Sequence, residues 1–276
     1  MTATATATAT DKHDVPAQRA ALRVTPHPPI PMTRIVGVEL RKMFDTRSGF
    51  WLMASIVIAN VLATGAVILF ASESEQTYGA FAASIGFPMA VILPMIAILS
   101  VTSEWSQRSG LTTFTLVPHR GRVVFAKGVS AIAVGVVSMG IAFAVGALGN
   151  LLGTAITGND LVWDMPLSLC ATIVLGNVLG LLVGFMLGVV IRNSAGAIVG
   201  YFVYSFVLPT LSLLLAQSQQ WFSDLQPWVD FNYAQSLLFD TGMTGENWAQ
   251  LGVSSIVWLV APLALGLTLL LRSEVK

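Results

Sequence analysis

Residues 50–71 read FWLMASIVIANVLATGAVILFA, a run of 22 residues without a single charged side chain. A helix needs about 20 predominantly apolar residues to cross the hydrocarbon core of a bilayer. This stretch predicts a membrane-spanning helix, because a helix satisfies its own backbone hydrogen bonds where no water is present. The fold of the whole chain depends on how often such a stretch recurs.

Five more stretches of the same kind follow in the 276-residue chain. Like the first, they contain no Asp, Glu, Lys, Arg or His, and they cover about residues 80–101, 129–152, 167–191, 197–216 and 251–271. The ~10-residue segments of alternating polarity that mark a membrane β-barrel are absent. With only 10% charged residues, the chain also has too few charges to coat a soluble globule. We therefore predict an all-α integral membrane protein whose six-helix domain covers residues 32–272.

The charged residues are divided between the two sides of the predicted spans. If the N-terminus is cytoplasmic, all fourteen Lys and Arg residues fall in cytoplasmic segments, namely residues 1–49, 102–128, 192–196 and 272–276. The outer segments carry eight carboxylates and no Lys or Arg, and they comprise residues 72–79, 153–166 and 217–250. This distribution obeys the positive-inside rule and predicts that both termini are cytoplasmic.

Both ends of the chain are predicted to lie outside the membrane domain. Residues 1–31 begin MTATATATAT and end TPHPPIP, a composition typical of a disordered tail, without the apolar core of a secretory signal. Residues 273–276 form a short cytoplasmic tail. The single cysteine, Cys170, has no partner for a disulfide and falls in the fourth span, where we expect it only to pack.

Residues 32–49, MTRIVGVELRKMFDTRSG, precede the first span and have the period of an amphipathic helix. Its apolar face is formed by Met32, Val36, Leu40, Met43 and Phe44. Glu39, Arg41 and Lys42 fall largely on other faces. We expect this helix to lie along the inner membrane surface, with its basic residues at anionic headgroups. Alternatively, it also contacts a cytoplasmic partner.

The spans lack the residues that most membrane chemistry requires. Proton-driven transporters carry ionisable groups at membrane depth, where each costs about 2.5–3.5 kcal/mol on insertion scales. His13, His27 and His119 all lie outside the spans, which argues against intramembrane metalloproteases, haem proteins and Ser-His hydrolases. Sodium coupling at helices opened by proline stays possible, and the prolines concerned are Pro88, Pro94, Pro209 and Pro262.

The chain contains no Gly-x-x-x-x-Gly-Lys-Ser/Thr loop, so we predict that it does not bind ATP itself. We also expect no cofactor in this chain. Energy for transport would have to come from a separate ATPase that acts on a cytoplasmic surface. The candidate surface is the inner loop SEWSQRSGLTTFTLVPHRGRVVFAK, residues 103–127. The other inner connection is only RNSAG, residues 192–196, which is too short to fold by itself.

Within this inner loop the residues predict a short helix parallel to the membrane. Ser103 or Thr102 can cap its N-terminus, where the positive end of the helix favours Glu104, and Pro118 can end it. Trp105 is expected to turn toward the membrane or the protein, together with Leu111 or Phe114. Lys127 is expected to extend its ammonium group to the headgroups and not to belong to a site.

Two motifs resemble those of the type-2 ABC exporter permeases, in particular the actinobacterial kind whose ATPase is a separate chain. The resemblance covers residues ~33 to 272 and rests on ELRKMFDTRSGFW before span one and VTSEWSQRSGLTTFTLVPHRGRVVFAK between spans two and three. In the second motif the family carries a Glu, a Gly or small-Thr stretch, a Pro, an Arg and a Lys at the membrane. Many members place the Gly closer to the Glu and follow it with Thr, whereas Gly110 here lies six residues after Glu104 and precedes Leu111.

The resemblance implies a coupling helix within residues 103–117 that docks into a groove on the ATPase, beside a connecting helix over residues 32–48. Glu104, Arg108 and Gly110 carry over as residues that transmit force, and Trp105 and Leu111 belong to the same predicted ATPase-coupling surface. Alternatively, Glu104 only stabilises a helix N-terminus.

The resemblance also implies a working unit of two permease subunits, identical or not, and two ATPase subunits in a bacterial plasma membrane. ATP and Mg would bind to the ATPase chains, and nucleic acid is not a partner. The predicted function is ATP-driven export of a hydrophobic or amphiphilic substrate by a subunit that is not itself an enzyme. The alternatives are a non-transporting membrane scaffold or sensor partner and an ion-coupled carrier.

Two further patterns fit a transporter. Glycines recur every fourth residue along span four, as Gly176, Gly180, Gly184 and Gly188, and allow close approach of another helix. This stripe packs either within one subunit or at a seam between subunits. The aromatic-rich loop 217–250 resembles the short outer or re-entrant helices of such permeases, although interfacial anchoring explains its composition equally well.

Overall fold

The computed structural model describes residues 30–72, 75–106 and 120–272. These ranges are mainly helical and contain no strand. Six helices within them are long and apolar enough to cross a membrane, and they cover Arg47–Phe70, Tyr78–Trp105, Gly121–Thr157, Leu167–Ile191, Ser194–Ser218 and Gly245–Arg272. The prediction of an all-α protein with six spans is confirmed. Most of the predicted N-terminal tail and the whole C-terminal tail lie outside the described residues.

Eleven α-helices make up the described ranges. They are α1 Met32–Asp45, α2 Arg47–Phe70, α3 Tyr78–Ser106, α4 Arg120–Thr157, α5 Leu167–Ile191, α6 Ser194–Phe202, α7 Leu208–Ser218, α8 Gln220–Val229, α9 Phe231–Ser236, α10 Gly245–Ser255 and α11 Ala261–Arg272. A π-helical turn, Val203–Val207, joins α6 to α7, and a second, Ile256–Val260, joins α10 to α11. Each of these pairs forms one span. The loop between spans five and six contains α8, α9 and a 3-10 turn, Leu237–Phe239, so the short helices implied by the resemblance are present.

Contacts between helix ends define the two ends of the bundle. At the end that we call the α1 end, α1 packs on α2 and α4, and Gly121 of α4 approaches Leu271 of α11. At the opposite end, the Gly79 N–H donates to the Asp164 carboxylate over 2.7 Å and the Asn150 amide donates to the Val162 carbonyl over 2.9 Å. The loop before α5 is thereby fastened to the start of α3 and the end of α4.

The centre of the bundle is formed by α3 and its contact with α5. Eight apolar side chains along α3 are at least nine-tenths buried: Phe81, Ile85, Met89, Leu93, Ile96, Ala97, Ile98 and Val101. The glycine stripe of α5 faces this core. A Cβ atom on Gly184 would lie 2.7 Å from the Pro94 carbonyl oxygen, and one on Gly188 would lie 3.4 Å from the Ile98 Cα. The close approach that the stripe permits therefore lies within this chain.

The other two stripe glycines face the end of α9 and the 3-10 turn that follows it. A Cβ atom on Gly176 would meet the Phe239 ring at 2.9 Å, and one on Gly180 would meet the Gln235 amide at 3.3 Å. The Gln235 amide also donates to the Gly176 carbonyl over 2.7 Å. Residues 235–239 thus pack against the N-terminal half of α5, and α3 packs against its C-terminal half.

Pro94 lies inside α3 and has no N–H to donate, so the Ala90 carbonyl loses its usual helical partner. The Tyr201 hydroxyl of α6 donates to this carbonyl over 2.8 Å. A substitute donor of this kind is what lets a proline persist in a membrane helix. The same hydrogen bond ties α6 to α3.

Prolines also account for the two π-turns. Leu208 and Ala261, which directly precede Pro209 and Pro262, donate their N–H groups to carbonyls five residues earlier, Val203 and Ile256. In this register the N–H that Pro209 lacks would have paired with the Tyr204 carbonyl. The Asn232 amide donates there instead, over 3.3 Å. The wider turn accommodates each proline ring without breaking the span.

We expect Tyr201→Phe to lower the free energy of unfolding by about 1–2 kcal/mol, because the Ala90 carbonyl would be left without a partner in a water-free environment. Thermal unfolding of the purified protein in detergent, followed by tryptophan fluorescence, measures the change. Tyr233→Phe removes a hydroxyl from an exposed ring and is the matched control. Equal melting temperatures for the two variants would contradict the assigned role of Tyr201.

Candidate functional site

Four charged side chains meet at the α1 end. Glu39 and Lys42 come from α1, Glu104 from the last turn of α3 and Lys127 from α4. The Lys127 Nζ lies 2.6 Å from Glu39 Oε2 and 3.1 Å from Glu104 Oε1, and the Lys42 Nζ lies 2.8 Å from Glu39 Oε1 and 3.5 Å from Glu104 Oε1. Each carboxylate contacts both ammonium groups. Because this four-charge cluster contains two carboxylates and two ammonium groups, its formal charges cancel.

Three members of the four-charge cluster are withdrawn from solvent. The side chains of Glu39, Glu104 and Lys127 are no more than 5% exposed, whereas that of Lys42 is 43% exposed. Burial of charged groups is costly, and close pairing with further hydrogen bonds is needed to offset it. The Lys127 Nζ also donates to the Ser100 carbonyl over 3.0 Å, which meets part of this need.

Lys42 closes the outer side of the cluster. Burial by itself would lower the pKa of Lys42, but the carboxylates of Glu39 and Glu104 outweigh this effect and hold its pKa above the ordinary value. The side chain is therefore protonated throughout the physiological pH range. The two buried carboxylates, Glu39 and Glu104, therefore have a second positively charged partner besides Lys127.

The orientation of α1 differs from the sequence prediction. Its buried face is formed by Ile35, Glu39 and Met43, spaced four residues apart, while Phe44 of the predicted apolar face is 47% exposed. The prediction that Glu39 falls on a face other than the buried one is wrong. The physical reason lies in α4, because Lys127 offers Glu39 an opposite charge.

The predicted start of a helix at residues 102–104 is also wrong. The α3 helix continues through Ser106, so neither Thr102 nor Ser103 caps a new helix there. The Thr102 hydroxyl instead donates to the Ile98 carbonyl over 2.9 Å and contacts the Ser194 hydroxyl. Glu104 consequently lies at a helix C-terminus, where the dipole disfavours a carboxylate. Its two lysine partners supply the stabilisation that the helix end does not.

The remaining predicted site residues have different outcomes. Trp105 is half-buried and packs against the hydrophobic core, and Arg41 is exposed on α1. Arg108, Gly110 and Leu111, with most of the predicted coupling helix, lie outside the described residues. Their part in the site stays a prediction.

Lys127 is the member of the site that sequence reasoning missed. The expectation that it extends to the headgroups is wrong, since its ammonium group is buried between α1 and α3. A signal was present in the sequence. Glu39 and Glu104 each lie close to the start or end of an apolar run, and Lys127 lies near the start of a third run, where one ammonium group can pair with both carboxylates.

A cavity of about 280 Å³ opens beside the four-charge cluster, between the elbow that joins α1 to α2 and the last turns of α3. The Thr46 hydroxyl accepts a hydrogen bond from the Gly49 N–H over 3.1 Å and caps α2. A Cβ atom on Gly49 would lie 1.9 Å from the Met43 carbonyl oxygen, so only glycine permits this tight elbow. The four charges form one wall of the cavity.

The geometry of the cluster is suited to joining helices. Its ionic contacts connect α1, α3 and α4 across 62 and 88 positions of sequence. The chain leaves α3 two residues after Glu104 and enters α4 seven residues before Lys127, so residues 107–119 are attached directly to two of the joined helices. A force applied to that segment would act on three helices together.

Comparison with known proteins gives one family. A sequence model of the family described as ABC-2 family transporter protein matches residues 4–275. No curated protein matches the chain significantly. The match includes all six spans and the four members of the four-charge cluster.

Proposed function

Because the chain belongs to the ABC-2 transporter family, we propose that it is the permease subunit of an ATP-driven exporter whose ATPase is a separate chain. The family and the six apolar helices make it a multi-pass membrane component of an ABC transporter. Export, the bacterial plasma membrane and a hydrophobic or amphiphilic substrate are parts of our proposal. ATP and Mg would bind to the ATPase subunits.

The positive-inside rule supports a cytoplasmic location for the α1 end, and with it for both termini. All Lys and Arg residues of the chain fall in the segments assigned to that side. Residues 107–119 would then face the compartment where a nucleotide-hydrolysing subunit works. The four-charge cluster would lie directly behind the docking surface.

The four-charge cluster is the observation that carries the mechanism. We assign the ATPase a docking site on residues 103–117 and on the exposed face of α1, where Arg41 lies. Movement of the ATPase would pass through Glu104 to Lys127 and Glu39, so that α1, α3 and α4 move as one body. Ionic contacts resist both compression and separation, and the cluster would transmit both halves of the cycle.

Two permease subunits would then rock against each other and move the substrate from a cavity between them to the outer face. The second subunit is either another copy of this chain or a related one. This step rests on the family, whose members work as pairs of membrane subunits. The apolar runs within the spans carry no charged residue, which favours a substrate that partitions from lipid.

The first test is to purify the tagged full-length chain in mild detergent and identify its stoichiometric companions, among which we expect a protein with a phosphate-binding loop. The second uses Glu104→Gln, which keeps the shape of the side chain and removes its charge. We expect this variant to assemble with the ATPase. We expect the substrate-stimulated rate of ATP hydrolysis to fall about tenfold, a coupling change of about 1.4 kcal/mol.

Glu246→Gln is the matched control, because Glu246 is an exposed carboxylate in the first turn of α10 at the opposite end. The ATPase assembled with this variant should hydrolyse ATP at the unmodified rate. If Glu104→Gln behaves in the same way, the cluster does not transmit force and a scaffold role is favoured. Solute movement that follows an ion gradient without nucleotide would instead identify an ion-coupled carrier and refute the proposal.

A further inference from the structure

A second cavity lies toward the opposite end of the bundle, between α7, α8 and the π-turn Ile256–Val260. Its volume is about 370 Å³, which falls in the range of about 300–1,000 Å³ that small-molecule sites occupy. Much of its wall is apolar and comes from Leu208, Leu211, Leu215, Phe222 and Val257. The cavity shares no residue with the four-charge cluster.

Both π-turns of the described chain border this cavity. Tyr204 belongs to the first π-turn, and Val257 and Trp258 belong to the second. Such turns are rare in helices and are frequently found at functional sites. The Trp258 indole N–H donates to the Val229 carbonyl over 2.6 Å, which holds the end of α8 against the second turn.

Asp230 places a carboxylate on the wall of the cavity. Its Oδ2 atom accepts a hydrogen bond from the Ser212 hydroxyl and one from the Gln226 amide over 3.5 Å, and its Oδ1 atom accepts one from the Tyr233 N–H over 3.2 Å. All three donors are neutral. The segments at this end of the chain contain no Lys or Arg that could neutralise the charge, and they comprise residues 72–79, 153–166 and 217–250.

Tyr204 supplies the second polar feature of this wall. Its side chain is only 7% exposed, and its hydroxyl has no hydrogen-bond partner among the described residues. Buried hydroxyl groups in proteins are nearly always paired. Tyr204 is among the residues that line the cavity, so a ligand bound there could supply the partner that its buried hydroxyl lacks.

We propose that this cavity binds a hydrophobic cation, with its ammonium group at Asp230 and the Tyr204 hydroxyl and its apolar body among the leucines of α7. Trp258 borders the same space, and its ring can form a cation–π interaction with the ammonium group. The role of such a ligand as exported cargo rests on the proposed function. Its binding to the isolated chain does not.

The test measures binding of 4-phenylbutylammonium to the purified full-length protein in nonionic detergent by isothermal titration calorimetry. 4-Phenylbutanol and 4-phenylbutyrate have the same apolar body with a neutral and an anionic group. We expect the ammonium compound to bind about tenfold more tightly than the alcohol, a difference of about 1.4 kcal/mol. The carboxylate compound should not bind measurably.

Asp230→Asn tests the carboxylate while preserving local structure, because asparagine caps a helix N-terminus as well as aspartate and Asp230 caps α9. We expect about a tenfold loss for the ammonium compound and no change for the alcohol. Asp224→Asn is the matched control, since it removes the same charge from an exposed position on α8. It should leave both affinities unchanged. Tyr204→Phe should weaken binding of both compounds a few-fold.

Equal losses in Asp230→Asn and Asp224→Asn would show that only diffuse surface charge attracts the cation, and would overturn the proposal. Equal affinity for the three compounds would overturn it as well, because the apolar body alone would then account for binding. None of these measurements involves an ATPase. Failure here therefore leaves the proposed exporter untouched, and failure to find an ATPase companion leaves this site untouched.

Discussion

Replacing Lys127 with methionine is expected to lower the free energy of unfolding by about 3–5 kcal/mol, the cost of leaving buried charges without their partner. The substitution keeps an unbranched side chain and removes only the ammonium group. Of the two lysines in the cluster, Glu39 and Glu104 would then keep only Lys42, whose side chain is 43% exposed. The fall in melting temperature in detergent, followed by tryptophan fluorescence, measures the effect.

Lys42→Met is the control for this prediction, because Lys42 contacts the same two carboxylates from the exposed rim of the cluster. Screening by solvent limits its expected effect to less than about 1 kcal/mol. The triple variant Lys127→Met, Glu39→Gln, Glu104→Gln should recover most of the stability, since buried ion pairs can often be replaced by neutral residues without net cost. Equal melting of the two single variants would show that Lys127 is not held in a buried network.

The triple variant also separates stability from coupling. If it folds and binds the ATPase but no longer changes the rate of ATP hydrolysis, the charges themselves transmit force between α1, α3 and α4. If the ATPase responds normally, the three helices are coupled by apolar packing alone. The same protein preparation answers both questions.

The number and position of the spans could be predicted from sequence because each span is a local property. Whether residues 50–71 can cross a bilayer depends on their own length and apolarity, and on nothing elsewhere in the chain. The existence of α1 follows from its own period for the same reason. The structure confirms six helices that are long and apolar enough to span a membrane, and it confirms α1.

The partners of buried charges could not be predicted in the same way. Helical period describes how a residue lies on its own helix, whereas the burial of Lys127 depends on Glu39, which lies 88 positions away. Considered alone, a lysine near the start of a span resembles a headgroup anchor. The orientation of α1 could not be predicted for the same reason, since helical period alone places Glu39 away from the buried face.

The backbone geometry at the four prolines could be predicted only in part from the sequence. The sequence marks four places where a helix can open, but α3 stays continuous through Pro88 and Pro94 while π-turns precede Pro209 and Pro262. Another helix can supply a donor for a carbonyl that a proline leaves unpaired. Tyr201 does so for the Ala90 carbonyl, which Pro94 leaves unpaired. Nothing in the sequence around Pro94 indicates this tertiary contact.

Gly184→Ala is expected to destabilise the protein by about 1–3 kcal/mol, although it adds a single methyl group. The new Cβ atom would lie 2.7 Å from the Pro94 carbonyl oxygen and 2.9 Å from the Pro94 Cα. Both are backbone atoms that cannot rotate away, so α3 and α5 would have to move apart. This displacement would disturb the contact at the centre of the bundle, and thermal unfolding in detergent measures its cost.

Two further glycines make this prediction specific to the α3–α5 contact. A Cβ atom on Gly188 would lie 3.4 Å from Ile98, an ordinary van der Waals distance, and one on Gly140 would meet nothing within 4 Å. Gly188→Ala should therefore cost much less stability than Gly184→Ala, because the new Cβ atom requires no backbone displacement. Gly140→Ala should be neutral or slightly stabilising, because alanine favours helix. If all three variants melt together, the separation of α3 and α5 is not set by Gly184, and the close approach inferred at Pro94 is wrong.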